Sequence, residues 1–265
     1  MKKGFLIALG LAGVCLLTGC GGGGGGDSSA ATYGVTDTGR LVKFKLGSPG
    51  HIDRNVVISG LEGGESILAI DFRASNGLLY GLGSTSRLYA IDPATGEAAA
   101  VGGVMSPLIS GQYFGIDFNE VTDELRLVSD TEQNLRIDPD TGAVINVETP
   151  VSPVESLVAC AYTPASGGLT TLYGIDAFSN KLVRIGGLNG TPSPDLGEVT
   201  EVGSLGHNAV ADTELDIHAE VGAVFCTNSA SDESKLYSID LLTGAATPIG
   251  KVGNHLNIVA FAIGQ

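Results

Sequence analysis

The stretch LYAIDPATG, Leu88 to Gly96, has two near copies further along the chain: LRIDPDTG from Leu135 and LYSIDLLTG from Leu236. A strand that runs into the same tight turn three times marks an internal repeat. In Asp92-Pro93-Ala94-Thr95-Gly96 the proline pre-sets φ for a turn, the glycine supplies a positive φ, and the Asp side chain can accept from amides ahead of it. These aspartates therefore read as turn formers rather than ligands.

Working outward, a second strand precedes each copy. TYGVTD begins at Thr32, LYGLGS at Leu79, LRLVSD at Leu125, LYGIDA at Leu172 and FCTNSA at Phe225, at intervals of 47, 46, 47 and 53 residues. After the turn comes a third strand such as EAAAVGG, then a looser loop and a fourth strand such as ILAIDF at Ile67 or YFGIDF at Tyr113. The strand that enters the turn alternates. Val42/Phe44, Tyr89/Ile91, Leu135/Ile137, Val183/Ile185 and Tyr237/Ile239 flank Lys43, Ala90, Arg136, Arg184 and Ser238, a period of two and not 3.6. Gly, Asn, Asp, Ser and Pro sit at nearly every expected turn, and no amphipathic helix is evident.

Four strands per unit of about 40–50 residues is the pattern of a β-propeller blade. The expected fold is all-β: a five-bladed propeller of four-stranded antiparallel blades over residues 32–265. The repeat begins on an LYG-type strand and finishes on NIVAFAIG, Asn257 to Gly264, which matches ILAIDFRA. The C-terminal strand is thus expected to complete the first blade and close the ring, removing both sheet edges. Blade four departs from the pattern, with RIGGLNG where IDPxTG is expected.

The first 31 residues read differently. Lys2 and Lys3 precede an apolar run, Gly4 to Thr18, too short for a comfortable membrane span. Leu17-Thr18-Gly19-Cys20 resembles a bacterial lipobox, which implies a signal peptide over residues 1–19 and acylation of Cys20. Residues 20–31 hold six consecutive glycines and read as a flexible tether. The residue after Cys20 is Gly21 and not Asp, which by resemblance to Gram-negative sorting rules implies the outer membrane. The expectation is a cell-envelope lipoprotein, monomeric, held to the membrane by its lipid.

The formal charge of −15 becomes −17 once Lys2 and Lys3 leave with the leader. Such a surface repels phosphates and argues against nucleic-acid binding. Cys160 and Cys226 lie in apolar strand-like stretches and read as buried thiols, in a compartment that would also permit a disulfide.

From Thr32 onward the LYG strands and ID-x-x-TG hairpins resemble a family of bacterial secreted and lipoprotein β-propellers of unknown function. The resemblance implies the architecture and carries no catalytic residues. Candidate chemistry must come from the loops and the axis. Asp37, Asp130, Asp176 and Asp232 fall at matching loop positions and form an expected acidic face, with Tyr113 beside it, for a protein or peptide partner. His207 and His255 occupy matching places on neighbouring loops. Asp71, Asp117 and Asp216 share one position in the fourth strand, where the other blades carry Ala161 and Ala260. Three carboxylates converging on the axis, with the two histidines, could hold Ca²⁺ or another divalent cation; they could equally accept backbone hydrogen bonds between blades. The tyrosines at Tyr80, Tyr89, Tyr173 and Tyr237 fall on core positions and the chain has no Trp, so only Tyr113 is left to stack on a sugar and the signal for a glycan site is weak. No HExxH, GxSxG or DxDxDG motif is present. The leading reading is a membrane-anchored binding or scaffolding module. Its alternative is a divalent-metal-dependent hydrolase or lyase with its site at the channel mouth.

Overall fold

The computed structural model describes residues 29–210, 212–228 and 233–264; the leader, Cys20 and Asp232 lie outside them. Blade one contains β1 (Ala31–Thr36), β2 (Arg40–Lys45), β3 (Ile52–Val57) and the last strand, β20 (Ile258–Ile263). Blade two is β4 (Ile67–Arg73), β5 (Leu78–Gly83), β6 (Arg87–Ile91) and β7 (Ala98–Val101). Blade three is β8 (Phe114–Asn119), β9 (Glu124–Ser129), β10 (Asn134–Ile137) and β11 (Val144–Val147). Blade four is β12 (Leu157–Tyr162), β13 (Leu172–Asp176), β14 (Lys181–Ile185) and β15 (Val199–Ser204). Blade five is β16 (Glu214–His218), β17 (Gly222–Asn228), β18 (Ser234–Ile239) and β19 (Ala246–Lys251). The first sheet runs in the order β20-β1-β2-β3, so the C-terminal strand does complete the first blade. The chain is a five-bladed β-propeller with four antiparallel strands per blade.

Burial grades from axis to rim. The innermost strands β4, β8, β12, β16 and β20 and their neighbours are buried almost throughout, whereas β3, β7, β11, β15 and β19 are largely exposed. In the strand that enters the turn, Leu41, Leu88, Leu182 and Leu236 are buried as well as the alternating pairs, because each blade is covered on both faces. The apolar side chains form five clusters, one in each seam between neighbouring blades. The LYG tyrosines belong to these seams: Tyr33 packs edge-on against Phe72 of the next blade at 5.1 Å, and Tyr80 against Phe118 at 5.2 Å.

The repeated turn works between blades. Asp92 Oδ1 accepts from the Ala94 amide at 2.7 Å, Asp138 Oδ1 from Asp140 at 2.9 Å and Asp240 Oδ1 from Leu242 at 2.8 Å. The glycine that closes each turn has positive φ, +78° at Gly96 and +67° at Gly142. A Cβ at Gly96 or Gly142 would overlap the carbonyl oxygen of Val57 or Val101, on the outer strand of the preceding blade. Ser59 N donates to Gly96 O at 3.0 Å and Ala98 N to Ser59 O at 2.8 Å, which stitches blade one to blade two. Blade four keeps the device through a different route. Its hairpin is longer, with two short 3₁₀ turns at Leu188–Gly190 and Pro194–Leu196, yet Gly197 lies against Pro150 O. Ser152 N donates to Gly197 O at 2.8 Å there, the counterpart of the Ser59 stitch. Two buried arginines add to the seams: Arg73 reaches Asp123 and Asp140 of blade three, and Arg126 reaches Asp195 of blade four.

Two alignments read from the sequence shift by two residues. Leu79 faces Ile91, and the partner of Ile239 in blade five is Ala223, so that unit begins at Ala223 and not at Phe225. In blade one Tyr33 faces Ala262 as Tyr80 faces Asp71, so Ala262 and not Ala260 stands in the aspartate position. A slip of two leaves every side chain on the same face, which is why the alternation could not register it. Cys160 and Cys226 are buried free thiols.

Candidate functional site at the channel axis

Asp71, Asp117 and Asp216 stand near the ends of β4, β8 and β16, and one oxygen of each lies within 4.8 Å of the others. All three are buried. Each also ties its blade to the next. Asp71 Oδ2 accepts from Phe118 N at 2.8 Å, Asp117 Oδ1 from Tyr162 N at 3.0 Å and Asp216 Oδ2 from Ile263 N at 2.6 Å. The second oxygen of Asp71 is not the one so used: Oδ1 accepts from its own neighbour, Phe72 N, at 2.7 Å. The inter-blade hydrogen bonds expected of these aspartates are therefore present, and the same three carboxyls lie close together.

Burial pushes all three carboxyls up. Asp71 is raised further by the charge of Asp216, and Asp117 by those of Asp71 and Asp216. Asp216 is pushed up to about 6 by its burial, against the amide of Ile263 and the nearby His218, which favour its charged form. The three face a cavity of about 320 Å³ that also takes in Glu120, Tyr162, His218 and Glu220, with no Lys or Arg in its lining.

His207 and His255 are not part of this group. They sit on the loops that lead into β16 and β20, at the other end of the channel from the carboxyls. His207 lies against the Tyr237 ring at 4.7 Å, and exposed His255 is 3.4 Å from Glu233. The imidazole that does line the carboxylate cavity is His218, which sequence reasoning missed although it follows Asp216 by two residues on the same strand face. Of the expected acidic face, Asp130 accepts from Gln112 N at 2.9 Å and Asp176 from Ser156 N at 3.2 Å, tying loops of their own blades together. Asp37 is exposed, with Asn257 at 3.3 Å, and Asp37 and half-buried Tyr113 line a second cavity of about 260 Å³ at that end of the channel.

Fold and site together define a closed propeller with a carboxylate-lined axis. Residues 40–262 match the profile of DUF4394, a domain of unknown function, and the chain belongs to that family. No curated protein sequence matches it. Among solved structures, the chain is similar to a GH43 glycoside hydrolase engineered to display both endo-xylanase and exo-arabinofuranosidase activity, at 12% identity and a TM-score of 0.53. The superposition covers 84% of this chain and 50% of that one, so the chain spans about half the hydrolase's length. PorZ, a surface component of the type-IX secretion system of Porphyromonas gingivalis, matches at 13% identity and a TM-score of 0.43, over 84% of this chain and 27% of that one. At 12% identity the likeness to the hydrolase shows the fold alone.

Proposed function

We propose that this protein is a lipid-anchored binding module of the bacterial cell envelope, acylated at Cys20, whose axial carboxyls hold a divalent cation while its loops meet a protein or peptide partner. The observation that carries the cation is the meeting of Asp71, Asp117 and Asp216 oxygens within 4.8 Å of one another. Ca²⁺–oxygen bonds run about 2.3–2.6 Å, so three oxygens within 4.8 Å of one another are close enough to be shared by one ion. A cation also relieves the mutual repulsion that raises Asp71 and Asp117. The lipid anchor is supported by the agreement of Lys2-Lys3, the apolar run and Cys20.

The test uses pH and metal together. In the metal-free protein the folded Asp216 binds its proton up to about 6, whereas the unfolded carboxyl releases it near 3.8. The folded state thus holds more protons between those values, and stability falls as pH rises through the window and stays lower above it. The separation corresponds to about 3 kcal/mol. Asp216→Asn keeps an oxygen for Ile263 N and removes the charge. It should raise the melting temperature of the metal-free protein at pH 7.5 by several degrees and flatten its pH dependence. Added Ca²⁺ or Mn²⁺ should raise the wild-type melt and leave the variant unmoved. Equal metal response in both proteins would defeat the cation reading.

A carboxyl near pH 6 on an open cavity, beside His218, is also suited to proton transfer. The hydrolase or lyase reading rests on that, and it requires turnover that Asp216→Asn abolishes.

A further inference from the structure

Glu214 opens β16 two residues before Asp216, so both side chains point toward the axis. The residues two before the equivalents of Asp216 in the other blades are Ala69, Gly115, Ala159 and Ala260. Four blades thus carry a hydrogen or a methyl at this level of the channel, and one carries a carboxyl. Glu214 is only 7% exposed, and its carboxyl has no hydrogen-bond or ion-pair partner among the described residues. A carboxyl without a partner on a residue this buried asks for an explanation in a folded protein, and this one faces a cavity. Seam packing supplies none, since three alanines and a glycine hold the same place in the other four blades.

The carboxyl lines the second cavity, at the end of the channel away from the aspartate group. That cavity of about 260 Å³ has two other acids at its rim, Asp37 and Asp212, and no Lys, Arg or His in its lining. Its walls are mostly apolar, with Leu68, Phe114, Val158, Val259 and Tyr113, interrupted by Thr36, Ser66 and Gln112. A metal ion does not suit it, because it needs several converging oxygens, and the three-acid group found among the described residues is the one at the opposite end. One buried acid in a mostly apolar cavity, with further acids beside it, fits one positive head on an aliphatic stem. At this size it admits a single small ligand or one side chain, below the roughly 300–1,000 Å³ of drug-sized sites.

From this geometry we infer that the second mouth is a binding pocket for a primary ammonium group on an aliphatic chain, with Glu214 as its anchor and Asp37 and Asp212 as the attracting rim. The ammonium donates to the Glu214 carboxylate, and the methylenes lie along Val158, Val259 and Phe114. The inference is independent of the divalent-cation reading, which concerns the other mouth.

The experiment is calorimetric titration of the full chain with n-butylamine, 1,5-diaminopentane and Nα-acetyl-lysine methylamide, with n-butanol and the Nε-acetylated lysine derivative as neutral controls. The amines should bind at least tenfold more tightly than the neutral controls. Glu214→Gln, which keeps size and removes charge, should lose that preference, Asp212→Asn should weaken it, and Asp53→Asn on the exposed outer strand β3 should leave it intact. Binding of the lysine amide would identify a partner's lysine side chain as the source, and binding of the free amines alone would identify a soluble amine. If Glu214→Gln does not fold, the same comparison in wild type with Asp212→Asn decides. Amines that bind no better than butanol, or equally well to the variants at Glu214 or Asp212, overturn the inference.

Discussion

Deleting Asn257 to Gln265 is expected to abolish the cooperative unfolding transition. That segment carries β20, the innermost strand of blade one, which lies beside β1 at the axis. Ala260 and Ala262 pack into the seam between blades one and two, and Ile258, Phe261 and Ile263 into the seam between blades five and one. Burying three large apolar side chains contributes about 1.5–3 kcal/mol each, and a domain has only about 5–15 kcal/mol to lose. The polar losses fall in the same place. Asp216 would lose the Ile263 amide, Ser234 Oγ the Ile258 amide at 2.7 Å, and Asn228 Nδ2 the Ile258 carbonyl at 3.1 Å. The cut would also bare the inner edge of β1. Calorimetry and near-ultraviolet circular dichroism are the measurements: a broad, non-cooperative melt with lost aromatic signal is expected. A truncated chain that melts as sharply and as high as the intact one would show that the closure is not what holds the ring.

How much of this was legible beforehand follows from the physics of strands. Hydrophobic alternation and repeated turn chemistry are local, so the five units, the four strands in each and the closing role of NIVAFAIG could be read directly. The absolute register could not, because a two-residue slip preserves the face of every side chain. That is why Ala260 was aligned with Asp71 when Ala262 faces Tyr33, and why blade five was begun at Phe225.

The site shows the same division. Asp71, Asp117 and Asp216 were grouped by position, and the repeat brings equivalent positions of inner strands together around the axis. His207 and His255 were matched by their loops, but loop position alone does not tell which mouth a side chain serves. Glu214 left a signal that correct alignment makes visible, an acid where the other blades have Ala69, Gly115, Ala159 and Ala260. The insertion in blade four hid another equivalence. Sequence comparison sees RIGGLNG without the turn motif, whereas the fold needs only a glycine against the preceding blade, and Gly197 supplies it.

That need makes Gly142→Ala a substitution of large expected effect. Its φ of +67° lies in the left-handed region, which a residue with a Cβ enters at about 1–2 kcal/mol. The larger part comes from space. The new methyl would overlap Val101 O on blade two, with Leu88 Cβ at 3.7 Å behind it, so relief requires the turn or the outer strand to shift. Such overpacking typically costs about 1–3 kcal/mol, giving about 2–5 kcal/mol in all. At roughly 2–4 °C per kcal/mol for a domain of this size, the melt should fall by about 10 °C. Gly39→Ala separates the two contributions, since Gly39 has φ of +72° and open space where its Cβ would be. It should lose only the conformational part, about 1–2 kcal/mol. A Gly142→Ala protein that melts with Gly39→Ala would mean that the turn glycine serves its own hairpin and not the seam. A markedly lower melt for Gly142→Ala would make the repeated ID-x-x-TG turn a contact between blades, which is why one chain carries it three times.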